Sequence, residues 1–284
     1  MPFFSIIIPT YNRGYIIRRP IDSIIAQTFK DWELIIVDDG SKDDTKSIIE
    51  SYHDERIKYV WQVNKERSAA RNHGISLAKG EWICFQDSDD EYLPEHLQVL
   101  SDGISHNTGY FVFRTGLITS EKGRFVSKSS LEMKNKYDAF PVQNFTTATF
   151  HRNIFRELNF NKRLNNGEDS HFFLLVFERF KIFLLPEYTC VYFRETTNKL
   201  NYNSQYEKLE SYLDLIEKVT KSNNAVIFQC CFISQSLLYH SVKEFKHIPS
   251  AIFQNSNFLF KYPRIYLYSL VSYFRIRVIK QTTN

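Results

Sequence analysis

Short, uninterrupted apolar runs alternate with segments of helical period along the first hundred residues. Apolar runs of this length are typical of buried strands, and helices between them indicate βαβ units with right-handed crossovers. The pattern predicts an α/β fold with a Rossmann-like, mostly parallel sheet flanked by helices. The predicted strands are residues 5–8, 32–37, 57–60 and 81–85, and the predicted helices are residues 15–27, 43–52, 68–78 and 94–106.

The pattern changes after residue 106. Further strands are predicted at residues 110–118, before a turn at 121–123, and at 146–151, and a helix at 170–180, whereas residues 127–145 are polar and irregular. From about residue 204 the chain is typical of helices up to its end. We therefore predict one domain of two halves, residues 1–106 and 107–203, followed by a helical C-terminal extension, residues 204–284.

The composition mainly excludes classes of protein. Hydrophobic residues make up 43% of the 284 residues, which is enough for a core, and a net charge of +4 does not indicate nucleic acid. The four cysteines lack metal-binding spacing, so reduced thiols in a cytosol are expected. No signal peptide is predicted, because the apolar run at residues 3–8 is short and has no basic segment before it. No apolar stretch approaches the ~20 residues of a membrane span. These observations predict a cytoplasmic protein.

Two acidic clusters stand where predicted strands end. Asp38 and Asp39 follow the apolar run 34–37, and residues 87–90, Asp-Ser-Asp-Asp, follow the run 82–85. Ligands of open α/β sheets bind at the carboxyl ends of the strands. Carboxylates gathered there need a cation, and hard oxygen ligands suit Mg²⁺ or Mn²⁺. The clusters thus predict a divalent metal and a phosphate-bearing substrate; the plain alternatives are a helix cap and a solvated turn.

The first strand ends in Pro9-Thr10-Tyr11, close to the tip that carries Asp39. A tyrosine at a strand tip can stack on a flat base, and Asp39 can accept a hydrogen bond from a pyrimidine N–H. Tyr11 taken alone is better explained by loop packing. Together, at adjacent tips, the two residues favour a nucleotide pocket.

Two further segments carry charges suited to such a substrate. Arg67 or Arg71, in the predicted helix 68–78 and its approach, can reach a diphosphate, or they form an ordinary solvated helix face. Glu168 and Asp169 precede the predicted helix 170–180, whose dipole stabilises a carboxylate. An ionised carboxylate on a rigid element facing a cleft is what a general base requires, although the helix dipole alone also explains an acid there.

The ordered set of these motifs resembles glycosyltransferase family 2, whose fold is named GT-A. The resemblance covers roughly residues 3–195, and many motifs in one order make it specific. The motifs are residues 5–12 (Ser-Ile-Ile-Ile-Pro-Thr-Tyr-Asn), Gln27-Thr28, residues 33–41, Ala70-Arg71-Asn72, Gly80-Glu81, residues 87–90 and Gly167-Glu168-Asp169.

The resemblance implies an inverting hexosyl- or N-acetylhexosaminyltransferase that uses a nucleotide-sugar donor, most often a UDP-sugar, with Mn²⁺ or Mg²⁺. It implies that residues 1–106 bind the donor and that residues 107–203 bind a glycan or lipid-linked saccharide acceptor. Asp169 would be the base, with Glu168 contacting the acceptor. Asp87 and Asp89 would serve the ribose, the diphosphate and the metal. The implied nucleotide-sugar-binding set is Pro9, Thr10, Tyr11, Asp39, Arg67, Arg71, Asp87 and Ser88.

The chain departs from the family's pattern in three places. Glu66 stands where the family often has glycine, and Tyr192-x-Arg194 matches the donor-covering segment only loosely. No Gln-x-x-Arg-Trp motif occurs. That absence, with the lack of predicted membrane spans, predicts a nonprocessive enzyme.

Residues 261–284 differ from the rest in having five basic residues and no acid. One helical face would be apolar, formed by Leu267, Leu270, Val271, Phe274 and Val278. Such a helix can lie on an anionic membrane, which would make the protein peripheral at the inner membrane face. The alternatives are packing on the domain or on the partner of a homodimer.

Two rival functions fit parts of the pattern. A sugar-nucleotide nucleotidyltransferase also uses an α/β sheet and acidic metal sites, but it would usually carry a Gly-rich basic loop after the first strand, which residues 9–14 do not form. A membrane-docked binding protein that has lost catalysis is the other rival. The acidic residues kept at all three places argue against it.

Overall fold

The computed structural model describes residues 1–129, 145–162 and 168–194, all within one compact unit, Met1–Asn198. The predicted extension 204–284, with its basic helix 261–284, lies outside the described residues. Among the helices that are described, none is both long and apolar enough to cross a membrane. The boundary predicted between residues 106 and 107 stays a prediction.

The first half alternates strands and helices as predicted. Its strands are β1 (Phe4–Thr10), β2 (Trp32–Asp38), β3 (Ile57–Trp61), β4 (Trp82–Phe85) and the short β5 (Glu91–Tyr92). Its helices are α1 (Arg18–Ile25), α2 (Thr45–Glu50), α3 (Glu66–Leu77) and α4 (His96–His106). The second half contains β6 (Val112–Glu121), β7 (Arg124–Lys128), β8 (Ala148–His151), α5 (Glu168–Arg179) and β9 (Ile182–Phe193).

The strands form one mixed sheet in the order β3-β2-β1-β4-β8-β6-β9-β5, with β7 paired to β6. The strands β1, β2, β3 and β4 are all parallel, with Ile6 opposite both Leu34 and Cys84, whereas β5 is antiparallel to β9. In the second half β8 is antiparallel to β4 and β6, whereas β9 is parallel to β6. The predicted parallel sheet therefore corresponds to β1–β4, and the remaining strands extend it as a mixed sheet.

The sheet has apolar layers on both faces because successive strand residues point in opposite directions. Ile6 and Ile8 belong to one core cluster and Ile7 to another. The second cluster is rich in phenylalanine: Phe145 stacks on Phe173 with ring centroids 4.6 Å apart, and Phe160 on Phe172 at 4.5 Å.

Helix α3 lies unusually close to β1. A Cβ added at Gly74 would lie 2.5 Å from Cγ2 of Ile7, so only glycine permits this approach. One turn before Gly74, Ala70 is fully buried. The small residues of α3 therefore set its distance from the sheet, and with it the position of the side chains at its N-terminal end.

Candidate active site

The carboxyl ends of β1, β2 and β4 open into one cleft of about 580 Å³. The residues predicted from the sequence to serve the donor, the metal or the reaction come from five separate segments, and all of them line this cleft. Their individual roles stay predictions. The predicted residues that meet here are Pro9, Thr10, Tyr11, Asp39, Arg67, Arg71, Asp87, Ser88, Asp89, Glu168 and Asp169.

Asp38 is committed to the fold. It is buried and accepts hydrogen bonds from the backbone N–H of Ser41 and from the hydroxyl of Tyr59, both at 2.8 Å. Burial and the Asp38 carboxylate together raise the pKa of Tyr59 well above its usual value, so the tyrosine keeps the proton that it donates. Asp38 therefore holds the loop after β2 in place.

Asp39 has a different environment. Its Oδ1 accepts from the side-chain amide of Gln62 at 2.6 Å and from the backbone N–H of Lys65 at 2.9 Å. Its Oδ2 has no hydrogen-bond partner among the residues that the structure describes. Tyr11, whose surface is 46% exposed, lines the same cleft. Among the described residues, one carboxylate oxygen of Asp39 thus has no partner, in a cleft that also contains an exposed aromatic ring. That Asp39 and Tyr11 bind a nucleotide base stays a prediction.

The loops after β1 and β2 are joined by hydrogen bonds. The backbone N–H of Asn12 donates to Oγ of Ser41, and the backbone N–H of Lys42 donates to Oδ1 of Asn12, both at 2.8 Å. Asn12 has a φ of 50°, a conformation that asparagine tolerates better than most residues. The two predicted halves of the base pocket therefore form one unit.

The acidic loop after β4 contains carboxylates of two kinds. Asp90 is fully buried and accepts from the hydroxyl of Thr146 at 3.1 Å. The side chains of Asp87 and Asp89 are 38% and 33% exposed and line the cleft. Nη1 of Arg19 donates to the backbone carbonyl of Asp89 at 3.0 Å, which ties the loop to α1. The loop thus turns two carboxylates to the cleft and uses a third for anchorage.

These two carboxylates fit a divalent ion. Asp87 and Asp89 supply hard oxygen atoms, and Mg²⁺ or Mn²⁺ at phosphate sites is commonly held by one or two carboxylates, with phosphates and water completing the shell. Within the described part of the chain no three His, Cys, Asp or Glu side chains gather into a metal cage. A site of this kind needs none, because the donor's phosphates would supply the remaining ligands.

Helix α3 brings two arginines to the acidic residues. Arg71 is buried and donates to Oε1 of Glu168 at 3.0 Å and to Oδ1 of Asp87 at 3.2 Å. Burial alone would lower the pKa of Arg71, but Asp87, Glu168 and Asp169 outweigh it and raise that pKa. The side chain of Arg67 is half exposed, with Nε 3.5 Å from Oε1 of Glu168.

Glu168 and Asp169 occupy the first turn of α5, where the helix dipole stabilises negative charge. Glu168 is 2% exposed and lies between the two arginines, whereas Asp169 is half-buried on the cleft wall. Of the two acids, Asp169 is therefore the one that a substrate can reach.

The cleft also contains residues that the sequence did not assign to the site. Arg13 lies with Nη2 3.7 Å from Oδ2 of Asp89, and Tyr192 at the end of β9 lines the cleft that its motif was only loosely predicted to cover. Phe145 comes from the segment that was predicted to be irregular and carried no signal. Glu66 has a φ of 68°, which explains why glycine suits this position. The others are Asn64 and Ala70.

The sequence profile described as "Glycosyl transferase family 2" matches residues 5–179. The chain belongs to this family. The match covers β1 to α5 and therefore every segment that lines the cleft except Tyr192. The family resemblance stated from the motifs is confirmed.

Two relatives are similar to this family 2 chain over part of their length. It is 37% identical over 174 residues to the "GalNAc(5)-diNAcBac-PP-undecaprenol beta-1,3-glucosyltransferase" of Campylobacter jejuni, covering 58% of this chain and 55% of the relative. It is 31% identical over 218 residues to the "Uncharacterized glycosyltransferase EpsJ" of Bacillus subtilis, covering 70% and 63%. The matches thus span between half and two thirds of each relative.

Solved structures show the same fold at low sequence identity. Staphylococcus aureus TarS 1-349 in complex with UDP-GlcNAc aligns with a TM-score of 0.65 and 19% identity, covering 96% of this chain and 80% of that one. The mannosyltransferase PcManGT from Pyrobaculum calidifontis, in complex with GDP-Man and Mn²⁺, aligns with a TM-score of 0.62 and 15% identity, covering 96% and 87%. The predicted fold class is confirmed.

Proposed function

We propose that this family 2 protein is an inverting, nonprocessive glycosyltransferase that moves a sugar from a nucleotide-sugar, in the first place a UDP-sugar, to a hydroxyl of a glycan or lipid-linked saccharide. The observation that carries the proposal is the meeting of three carboxylate sets in one cleft: Asp39, the pair Asp87 and Asp89, and Asp169. A nucleotide-sugar needs recognition of its base, its diphosphate and its reacting carbon, and the three sets supply these along one cleft.

The donor proposal rests on the base side of the cleft and on the structural neighbours. Asp39 keeps one oxygen for the N–H of a uracil ring, and Tyr11 offers a ring surface in the same cleft. The TarS structures contain UDP or UDP-GlcNAc, and TarS shares this fold. Arg67, exposed at the start of α3, is proposed to contact the diphosphate. Pro9, Thr10 and Ser88 are proposed to contact the nucleotide through their backbone and side chains.

A single displacement describes the proposed reaction. Asp169 takes the proton of the acceptor hydroxyl, and that oxygen forms a bond to the anomeric carbon from the face opposite the diphosphate. The bond between the anomeric carbon and the phosphate oxygen breaks, and its electron pair leaves with the nucleoside diphosphate, so the configuration inverts. Asp89 and Asp87 would hold a divalent ion, which neutralises charge on the departing diphosphate.

The acceptor proposal rests on a relative. The Campylobacter relative is named for a substrate linked to undecaprenol by a diphosphate, so a lipid-linked saccharide is the first acceptor to try. Attachment of this chain to an anionic membrane through residues 261–284, and a homodimer, stay predictions from the sequence.

Release of free UDP tests the function. The purified chain is incubated with Mn²⁺ and each of several UDP- and GDP-sugars, and the nucleotide products are separated. We expect the wild type to release UDP from one UDP-sugar. Asp169→Asn should lower the rate of UDP release by about 100-fold or more, because the amide cannot accept a proton. Gln98→Ala, on the exposed face of α4, is the control that should keep the wild-type rate.

Two outcomes would contradict the proposal. Pyrophosphate formed from a nucleoside triphosphate and a sugar phosphate would indicate a nucleotidyltransferase. No metal-dependent nucleotide binding by calorimetry would indicate a binding protein without catalysis.

A further inference from the structure

One guanidinium in the cleft wall is shared by carboxylates from two distant parts of the chain. Arg71 donates through Nη1 to Glu168, 97 residues away, and through Nη2 to Asp87, 16 residues away. Its guanidinium carbon lies 5.1 Å from the ring centroid of Phe145 and 5.3 Å from that of Phe160. The group is thus held by two ion pairs within a buried aromatic surround.

The two carboxylates belong to the two parts of the cleft that must be aligned. Asp87 begins the acidic loop, two residues before Asp89. Glu168 is the first residue of α5, immediately before Asp169. A fixed planar fork sets the positions of two acceptors at once, which the single ammonium group of lysine cannot do. The position of Arg71 on α3 therefore sets the distance between the acidic loop and the start of α5.

The alternative role of Arg71, a ligand of the donor's diphosphate, fits this environment less well. Both Nη atoms already have protein partners at hydrogen-bond distance, and the side chain is only 5% exposed. Arg67, one turn earlier on the same helix, has a side chain that is 53% exposed and lies in the same cleft. A phosphate entering the cleft meets Arg67 more readily than Arg71.

We propose that Arg71 is a positioning residue, which holds the start of α5 and the acidic loop in register through Glu168 and Asp87. Glu168 then acts in this brace rather than on the acceptor. The inference rests on the proposed function, because it concerns the placement of Asp169 and Asp89 for that reaction.

A double-mutant cycle of Arg71→Lys and Glu168→Gln tests the brace. The readouts are kcat for UDP release from the UDP-sugar that the wild type uses, and the Kd of UDP measured by calorimetry. Each single variant should lower kcat by about 10- to 100-fold, the scale of a slightly misplaced reacting group. The double variant should be no more than about twofold slower than the worse single variant, because both changes break one unit. The Kd of UDP should stay within about threefold in Glu168→Gln, since Arg71 and Asp87 remain paired there.

Three outcomes would overturn the brace. The effects on kcat could multiply in the double variant, which would mean that the two residues act separately. Arg71→Lys could raise the Kd of UDP at unchanged kcat, which is the result expected of a donor ligand. Both single variants could keep the wild-type kcat.

Two controls separate these results from general damage. Arg179→Gln removes an arginine from a surface pair with Glu157, 3.9 Å long, and should leave both readouts unchanged. If Arg71→Lys does not fold, Glu168→Gln alone decides, because the brace predicts a lower kcat without weaker UDP binding. Failure of the proposed function is recognised separately, since the wild type would then neither bind UDP nor release it from a UDP-sugar.

Discussion

At the scale of the residue, neighbouring positions in this chain have opposite uses. Asp38 and Asp39 follow each other at the end of β2, and the alternation of a strand predicts that they point to different sides. The sequence alone does not tell which of them faces the cleft, because the partners that bury Asp38 include Tyr59, 21 residues later. The strand-tip position and the family resemblance both pointed to Asp39, which lines the cleft, whereas Asp38 is hydrogen-bonded to Ser41 and Tyr59; the role of Asp39 stays a prediction.

Asp39→Asn should weaken UDP binding. In this variant the side-chain oxygen of the introduced asparagine would still accept from Gln62 and Lys65. The amide N–H₂ group would therefore face the uracil ring, where a donor meets the N–H donor of the ring. We expect the Kd of UDP to rise by about 10- to 100-fold, which corresponds to about 1.5–3 kcal/mol. Cytosine has an acceptor in place of that N–H, so CDP should lose less affinity than UDP. Equal losses for the two nucleotides in calorimetry would contradict the base pocket.

Glu66 offers a second test at this scale. Its φ of 68° is a left-handed conformation that costs a side-chain-bearing residue roughly 1–2 kcal/mol, part of which glycine recovers. Glu66→Gly should therefore raise the free energy of unfolding by about 0.5–1 kcal/mol, measured in urea. Lys122→Gly is the matched control, because Lys122 has a φ of 51° in an exposed turn.

The two variants should differ in function. Glu66 lines the cleft, so its loss should also change the KM of the donor, whereas Lys122→Gly should leave turnover unaltered. A destabilised Glu66→Gly with a stabilised Lys122→Gly would mean that the Glu66 side chain makes contacts that outweigh the backbone strain.

At the scale of the element, predictability follows from how regular the local pattern is. β1, β2, β3 and β4 were predicted closely because each is a continuous apolar run that ends in polar residues. β9 was missed because Pro186 and Glu187 interrupt its sequence, and in the sheet its register against β6 shifts on either side of Gly116. β5, with only two residues, and the exposed β7 carry too little pattern to be recognised.

The acidic loop is the element whose function is most directly testable. Mn²⁺ should tighten UDP binding to the wild type, and Asp89→Ala should lose this increment, because one of the two exposed carboxylates is gone. Asp87→Ala should weaken the increment and turnover strongly. The measurement is calorimetry of UDP with and without Mn²⁺, together with Mn²⁺-dependent turnover.

A surface acid serves as the control for lost charge. Asp102→Ala, on the exposed face of α4, should keep the full effect of Mn²⁺. Turnover that is indifferent to a chelator, or an unaltered Mn²⁺ effect in Asp89→Ala, would remove the metal from the proposal.

At the scale of the whole molecule, the convergence of the site was predictable but its internal bonding was not. Parallel strands end at one edge, so polar residues after β1, β2 and β4 had to approach each other. The pairing of Arg71 with Glu168 crosses 97 residues and depends on the spacing between α3 and α5, for which the sequence carries no local signal. The same applies to Phe145, which reaches the cleft from a segment without periodicity.

The stability of the fold should fall in acid because two histidines are buried as neutral groups. Burial lowers the pKa of His96 to about 3 and that of His171 to about 4, against about 6.5 in an unfolded chain. Below pH 6.5 the unfolded chain therefore binds protons that the folded chain does not. Each histidine should reduce the free energy of unfolding by about 2 kcal/mol between pH 7 and pH 5.

Urea unfolding of His96→Gln at the two pH values isolates one of these contributions. His96 is fully buried and stacks on Tyr92 at 4.0 Å, so the variant starts less stable at pH 7. Its further loss at pH 5 should nevertheless be smaller than that of the wild type by about 2 kcal/mol. Equal losses in the two proteins would mean that His96 takes up its proton in the folded state.

The absence of a side chain at Gly74 links the distance between α3 and the sheet to the arrangement of the cleft. A methyl group there would collide with Ile7 and lift α3 from the sheet. That helix carries Arg67 and Arg71, and the backbone N–H of Lys65 just before it holds Asp39. A displacement would therefore disturb both the proposed recognition of the nucleotide and the proposed placement of Asp169. In a mutational scan, substitutions of this buried glycine should therefore reduce activity as much as substitutions of the cleft residues. Positions in the packed layer between α3 and the sheet would then be as sensitive to substitution as the active site itself.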